Sequence, residues 1–237
     1  MNDKIKELTQ KERYDFCDLV DIMAVLRSER GCPWDREQTH LSIRENLIEE
    51  AYEVVEGIDN ADAELLKEEL GDLMFQIVFH AQLEREKGTF DISDVIDGVS
   101  RKMVHRHPHI FADRRLDTTD QVLDAWDKIK AEEKSRVSLS DKLESIPRQL
   151  PALVRAQKVA EKAIKYRAIT DTADEALTAV SDALDQLRDS SSEAVAEEAM
   201  GQLLFAASVL AERRDISAER ALTYCTDCKL EEIKNKG

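Results

Sequence analysis

At 237 residues the chain has room for one large or two small domains, and 42% hydrophobic residues are enough for a core. With 35% charged residues, only 7 Gly and 4 Pro, and no alternating Val/Ile/Thr run to suggest a sheet, the composition predicts helices. A formal net charge of −16 argues against a general nucleic-acid or membrane-surface binder, but not against a small anionic ligand whose charge a metal and local Lys or Arg offset.

The opening residues MNDKIKELTQKERYDF are polar, without an apolar signal core. No uninterrupted apolar stretch approaches the roughly 20 residues that span a bilayer, so a cytoplasmic protein with no membrane partner is expected. Of the 4 cysteines, Cys17 and Cys32 are scattered and Cys225 and Cys228 form a lone CxxC, read as reduced thiols without zinc.

A first amphipathic helix is predicted over 13–30, with Phe16, Leu19, Val20, Met23 and Leu26 inward. It stops at Gly31; Cys32-Pro33-Trp34-Asp35 reads as a turn, with Asp35 or Thr39 capping the next segment and Trp34 packing. Two helices over about 41–58 and 62–86 come next, the second opened by Asn60 or Asp62. Gly88 interrupts, and Asp91 or Ser93 caps a helix to about His105 that Pro108 stops. Residues 108–117 read as loop, and Thr118 or Thr119 starts a helix to about Lys134.

The pair over 45–80 organises the rest. On its first helix Leu47, Ile48, Ala51, Val54, Val55 and Ile58 form one apolar stripe, bordered by Glu49, Glu50 and Glu53 at i/i+3 and i/i+4 spacing. The second helix carries Glu69 and Asp72 one turn apart, then a run from Leu73 to Phe79 apolar almost all round, which predicts a largely buried helix. EExxE by itself is usually a solvated acidic face. Acids converging from two antiparallel helices, one of them apolar, repel one another unless their pKa values rise or a cation binds among them. Oxygen-only ligands favour Mg²⁺ or Mn²⁺ over zinc, and Gly71 between the acids would let another backbone come close.

SRVSLSDKLESIPRQLP, residues 135–151, reads as a boundary, and beyond it the chain repeats itself. Leu70-Gly71-Asp72-Leu73-Met74-Phe75 recurs as Met200-Gly201-Gln202-Leu203-Leu204-Phe205, and Asp91-Ile92-Ser93 as Asp215-Ile216-Ser217. Glu49, Glu50 and Glu53 align with Ser181, Asp182 and Asp185, and Glu69 and Asp72 with Ala199 and Gln202. The second copy is expected to keep the packing and lack a working metal site.

Glu49-Glu50-x-x-Glu53 followed by Glu69-Leu70-Gly71-Asp72 resembles the MazG-type nucleoside triphosphate pyrophosphohydrolases, as do GCPWDREQTH at 31–40 and KMVHRHPHIF at 102–111. The resemblance covers nearly the whole chain and departs from the family in the second unit, which has no counterpart of the segment around Trp126. It implies an all-α fold of two tandem MazG-like helical-bundle units: a catalytic domain over 1–137, a linker over 138–150 and a degenerate second domain over 151–237. Units this small leave apolar helix faces uncovered, so a homodimer through those faces, sharing sites across its interface, is expected. The resemblance also implies hydrolysis of an NTP to NMP and diphosphate with Mg²⁺, for which Mn²⁺ could substitute, with broad base tolerance, in nucleotide-pool cleaning or regulation. Carried over by position, Glu50, Glu53, Glu69 and Asp72 would hold the metal, and Glu49 would help ligate it or deprotonate the attacking water. Asn46 would reach the nucleotide, Lys102 and Arg106 grip the triphosphate, and Trp126 and Lys130 contact base or sugar.

Bland alternatives stand beside these roles: a solvated basic face for Lys102 and Arg106, and a core position for Trp126. His105, His107 and His109 read as a phosphate-side loop rather than a zinc cluster, and Glu37-x-x-His40 is half of a di-iron motif that needs two halves. Nucleoside triphosphates and a second copy of the chain are the expected partners. The rival readings are a catalytically silent nucleotide- or partner-binding module and a purely structural helical scaffold.

Overall fold

The structure is a computed structural model that describes residues 2–112, 116, 118–133, 138–169 and 172–236. Every regular element among the described residues is helical, and the chain divides into two compact units, Met1–Val122 and Leu123–Gly237.

The first unit contains α1 (Asn2–Thr9), α2 (Phe16–Leu26), α3 (Pro33–Glu37), α4 (Arg44–Asp59), α5 (Ala63–Lys87), α6 (Ile92–Arg106) and α7 (Pro108–Phe111), and α8 (Thr119–Glu133) begins in it. Asp15 opens α2 through a capping box: its side chain accepts from the Asp18 amide at 3.1 Å, and the Asp18 side chain accepts from the Asp15 amide at 2.9 Å. That cap makes α2 shorter than the helix expected over 13–30, and Phe16 at its exposed first turn lies outside the core. Residues 33–37 form a short helix in place of the expected turn, with Asp35 buried inside it rather than capping the next element. Residues 108–111 are likewise helical where a loop was expected.

Asp62 opens α5, accepting from the amides of Glu64 and Leu65 at 3.0 and 3.1 Å. The α4–α5 crossing is closest at Gly57, where a Cβ would stand 2.9 Å from Leu66 backbone atoms, so only glycine fits without a shift. Gly71, expected to serve that purpose, has nothing within 4 Å of its would-be Cβ. The close approach is at the turn end of the pair and not between the acids.

The core is Met23, Ile43, Val78, Phe79 and Leu83, with Leu19, Val20, Phe75 and Ile92 against it. Arg27 ties it down: its guanidinium meets Glu86 at 2.8 and 2.7 Å, lies 5.4 Å from the Phe79 ring centroid, and donates to the carbonyl of Asp35. His40 joins the segment before α4 to α5. It shares a 2.7 Å hydrogen bond with His80, on which it stacks, and a 2.6 Å one with Glu84.

All this packing falls on the C-terminal half of α5. Leu70, Met74 and Ile77 are exposed, so the largely buried helix expected for α5 is buried only in part; Ile48, Ala51, Val55 and Ile58 of the stripe on α4 are exposed as well. Within one unit, α2 and α6 pack against α5 but leave these apolar faces uncovered.

In the second unit, α9 (Leu139–Glu144) lies in the stretch read as a boundary, followed by α10 (Ala152–Lys165), α11 (Ala173–Arg188), α12 (Glu193–Arg213) and α13 (Ala218–Lys234). Its core is built of smaller residues, Ala160, Ala176 and Val209, with Ile164, Ile169 and Leu210 alongside. Gln157 fastens the α12–α13 corner, donating to the Ile216 carbonyl at 2.8 Å and accepting from the Ala218 amide at 2.9 Å. By length and composition α12, at 21 residues, could cross a membrane. It carries Glu197 and Glu198 in its second turn and packs against α10 and α11.

Candidate metal centre

The antiparallel α4–α5 pair brings Glu50, Glu69 and Asp72 together: one carboxylate oxygen from each lies within 4.8 Å of the other two. Helix periodicity explains the convergence. Glu50 and Glu53 are one turn apart on α4, and Glu69 and Asp72 one turn apart on α5, so each pair faces the other helix. Glu69 is buried, Glu50 half-buried and Asp72 exposed, which makes a graded opening from the helix interface to solvent.

Both of the less exposed acids are held above the usual carboxylate range. For Glu50 burial is the main cause, followed by the charges of Asp72 and Glu53, while a hydrogen bond from Gln76 pulls the other way. For Glu69 burial again leads, followed by Glu53 and Asp72. Glu53 therefore sits close enough to load both neighbours, although its oxygens lie outside the tight trio. Glu49 is exposed and contributes least to Glu50. A divalent cation fits this place on two grounds. The donors are all oxygen, which suits a hard ion, and the ion would relieve the repulsion that raises both pKa values. Among the described residues no other group of three or more His, Cys, Asp or Glu side chains gathers in this way.

The other sequence-predicted residues lie on α4, α6 and α8. Asn46 is half-buried in the first turn of α4, one turn before Glu50. Lys102 and Arg106 lie one turn apart on α6, which packs on α5; Lys102 is exposed and Arg106 buried. Trp126 and Lys130 lie one turn apart on α8 in the second unit, Trp126 half-buried and Lys130 exposed. Trp34 is 59% exposed, so it does not pack as expected, because the short α3 turns it outward. His107 and His109 rings lie 5.6 Å apart across Pro108. The four cysteines are free thiols.

Three features had no signature that singled them out in the sequence. Gln76, one turn beyond Asp72 on the same face of α5, is buried, and its Oε1 has no hydrogen-bond partner. The His40–His80–Glu84 chain and the Arg27–Glu86 pair join residues 40 to 59 positions apart, which helical periodicity cannot foresee. Gln76 alone left a local trace, its i+4 spacing from Asp72.

The MazG nucleotide pyrophosphohydrolase domain matches residues 38–111, a span that holds Asn46, all five acids, Lys102 and Arg106 but not Trp126 or Lys130. The chain is 41% identical over 210 residues to the nucleoside triphosphate pyrophosphohydrolase of Escherichia coli strain K12, spanning 86% of this chain and 80% of that protein. It is 38% identical over 219 residues to the nucleoside triphosphate pyrophosphohydrolase/pyrophosphatase MazG of Thermotoga maritima, spanning 92% and 84%. A Mycobacterium tuberculosis nucleoside triphosphate pyrophosphohydrolase is 39% identical over 150 residues, spanning 62% and 45%.

Proposed function

The chain belongs to the MazG family and is a nucleoside triphosphate pyrophosphohydrolase, a hydrolase of the phosphoanhydride; from that premise we propose that it converts NTP and water to NMP and diphosphate at a Mg²⁺ site in its first unit, and that Mn²⁺ can substitute. Glu50, Glu53, Glu69 and Asp72 would hold the ion. The reading is carried by the three carboxylate oxygens gathered within 4.8 Å between α4 and α5, where burial and mutual repulsion disfavour an uncompensated charge.

When bound, the ion neutralises phosphate oxygens and polarises the phosphorus they surround. The other roles belong to side chains. Glu49, exposed where Glu50 and Glu53 are half-buried, orients the attacking water and takes its proton. Asn46 reaches the nucleotide from the turn before Glu50. Lys102 and Arg106 grip the triphosphate, and the burial of Arg106 keeps its charge from being spread into water. Trp126 stacks on base or sugar and Lys130 adds a positive charge. Too few base-reading groups are involved for strict selection, so canonical and damaged triphosphates are both substrates, as pool cleaning or regulation requires.

The second unit is a degenerate copy of the first. Support comes from helix order, α2–α4–α5–α6 against α10–α11–α12–α13, and from burial within each unit. Glu69, Gln76, Val78 and Phe79 are buried on α5, as Ala199, Ala206, Ser208 and Val209 are on α12. We place the catalytic domain at 1–137, the linker at 138–150 and the degenerate domain at 151–237. The uncovered faces with Ile48, Val55, Leu70 and Met74 support a homodimer that shares sites across its interface, the degenerate domain serving dimerisation or regulation. We place the protein in the cytoplasm, with no stable nucleic-acid or membrane partner.

Incubation with mixed NTPs and Mg²⁺ should release NMP and diphosphate, and EDTA should stop it. Orthophosphate with NDP would mean a different cleavage. Nucleotide binding without turnover would mean a silent binding module.

A further inference from the structure

Gln76 lies on the face of α5 that carries Glu69 and Asp72, at the seventh and fourth positions after them, and is only 7% exposed. Its neighbours Phe75, Val78 and Phe79 belong to the hydrophobic core. A leucine or methionine would pack there without a polar atom to satisfy. Instead there is an amide near enough to the Glu50 carboxylate on α4 to act on its pKa as a donor, while its Oε1 is buried with no donor. Buried polar atoms are almost always paired, so a buried acceptor beside an acidic cluster marks a place for a donor that comes from outside the chain. In the register that sets residues 70–75 against 200–205, position 76 falls on Ala206, buried in the unit that has also lost the acids.

We propose that Gln76 is a positioning residue of the metal site: its amide N–H fixes the Glu50 carboxylate in the orientation that meets the ion, and its Oε1 accepts a hydrogen bond from water on that ion. Gln76 acts through Glu50 and the water and does not touch the reacting phosphorus. The inference rests on the metal site proposed for the first unit. A ligating carboxylate that is itself hydrogen-bonded holds its direction when the ion arrives, and loss of such a partner typically weakens metal binding about 10–100-fold.

Full-length protein is titrated with Mn²⁺ in the absence of nucleotide, as wild type, Q76M, E50Q and the double variant, with Q76L as a second apolar replacement. Thermal midpoints in EDTA report folding separately. The expected result is Mn²⁺ affinity lowered about 10–100-fold in Q76M, with no loss of metal-free stability because the orphaned oxygen is gone, and a double variant little weaker than E50Q. At saturating metal Q76M should lose kcat with KM for the nucleotide nearly unchanged. Wild-type Mn²⁺ affinity in both Q76M and Q76L, or losses that add fully in the double variant, would overturn the role of Gln76 while leaving the metal site standing. Unchanged Mn²⁺ binding in E50Q would overturn the metal reading itself, and this inference with it.

Discussion

In the N-terminal half of α5 the buried position is Glu69, and in the N-terminal half of α12 it is Ala199; one turn further stand Asp72 and Gln202, both exposed. Both helices bury a similar apolar line beyond that point, yet one holds a crowd of carboxylates at its open end and the other does not. In the first, burial and repulsion raise the pKa of Glu50 and Glu69, so the unit bears a standing electrostatic cost. In the second unit a groove on α11 and α12 is lined by Asp182, Gln186, Glu198, Gln202 and Phe205 between small alanines. Packing a helix pair of this kind does not need the acids. Their presence in one unit is what the proposed metal site would explain.

The most direct way to break the contrast is at the acids. E53Q and D72N should each lower NTP hydrolysis on the order of a hundredfold to a thousandfold, the scale of a lost charge-stabilising contact. D182N with D185N should leave the rate unchanged. Diphosphate release measured side by side, with helix content checked by circular dichroism, decides it; a large loss from the second-unit pair would mean that both units work.

Smaller effects sharpen the comparison. G57A forces a Cβ to 2.9 Å from Leu66 backbone atoms and should cost about 1–3 kcal/mol in urea unfolding. G71A and G201A meet nothing within 4 Å and should each stabilise their helix by about 1 kcal/mol. If G57A proved neutral, the tight crossing would not be what sets the α4–α5 spacing.

The smallest expected effect is in acid. Lys87, Thr89 and His40 hold Glu84 down at about 2, well below the ordinary 4.5. A carboxylate with a lowered folded pKa stabilises above its unfolded value, and that contribution disappears as pH falls from about 4.5 toward 2. E84Q should therefore be less stable than wild type at neutral pH, and the difference should close across that window. Thermal midpoints at a series of pH values measure it.

Helical class, α5 nearly to its ends, Asp62 and Asp91 each as one of two cap candidates, and the meeting of Glu50, Glu69 and Asp72 among the acids expected to converge were legible in the sequence, because each follows from local spacing and cap chemistry. What covers a helix is not local. The Leu70–Met74 flank of α5 reads as buried, yet among the described residues Leu70 and Met74 stay exposed. The same limit hid the partners of Arg27 and His40, and it moved the close approach from Gly71 to Gly57. A single alanine-sized gap is invisible to periodicity.

The core of the first unit is gathered at one end of α5. Val78, Phe79 and Leu83 are buried with Met23 and Ile43, while between residues 63 and 75 only Glu69 is buried. The end with the acid cluster thus buries less of α5, and its amide protons should exchange before those of the core turns. An ion gripped from both helices would slow that exchange first where the fold by itself holds least.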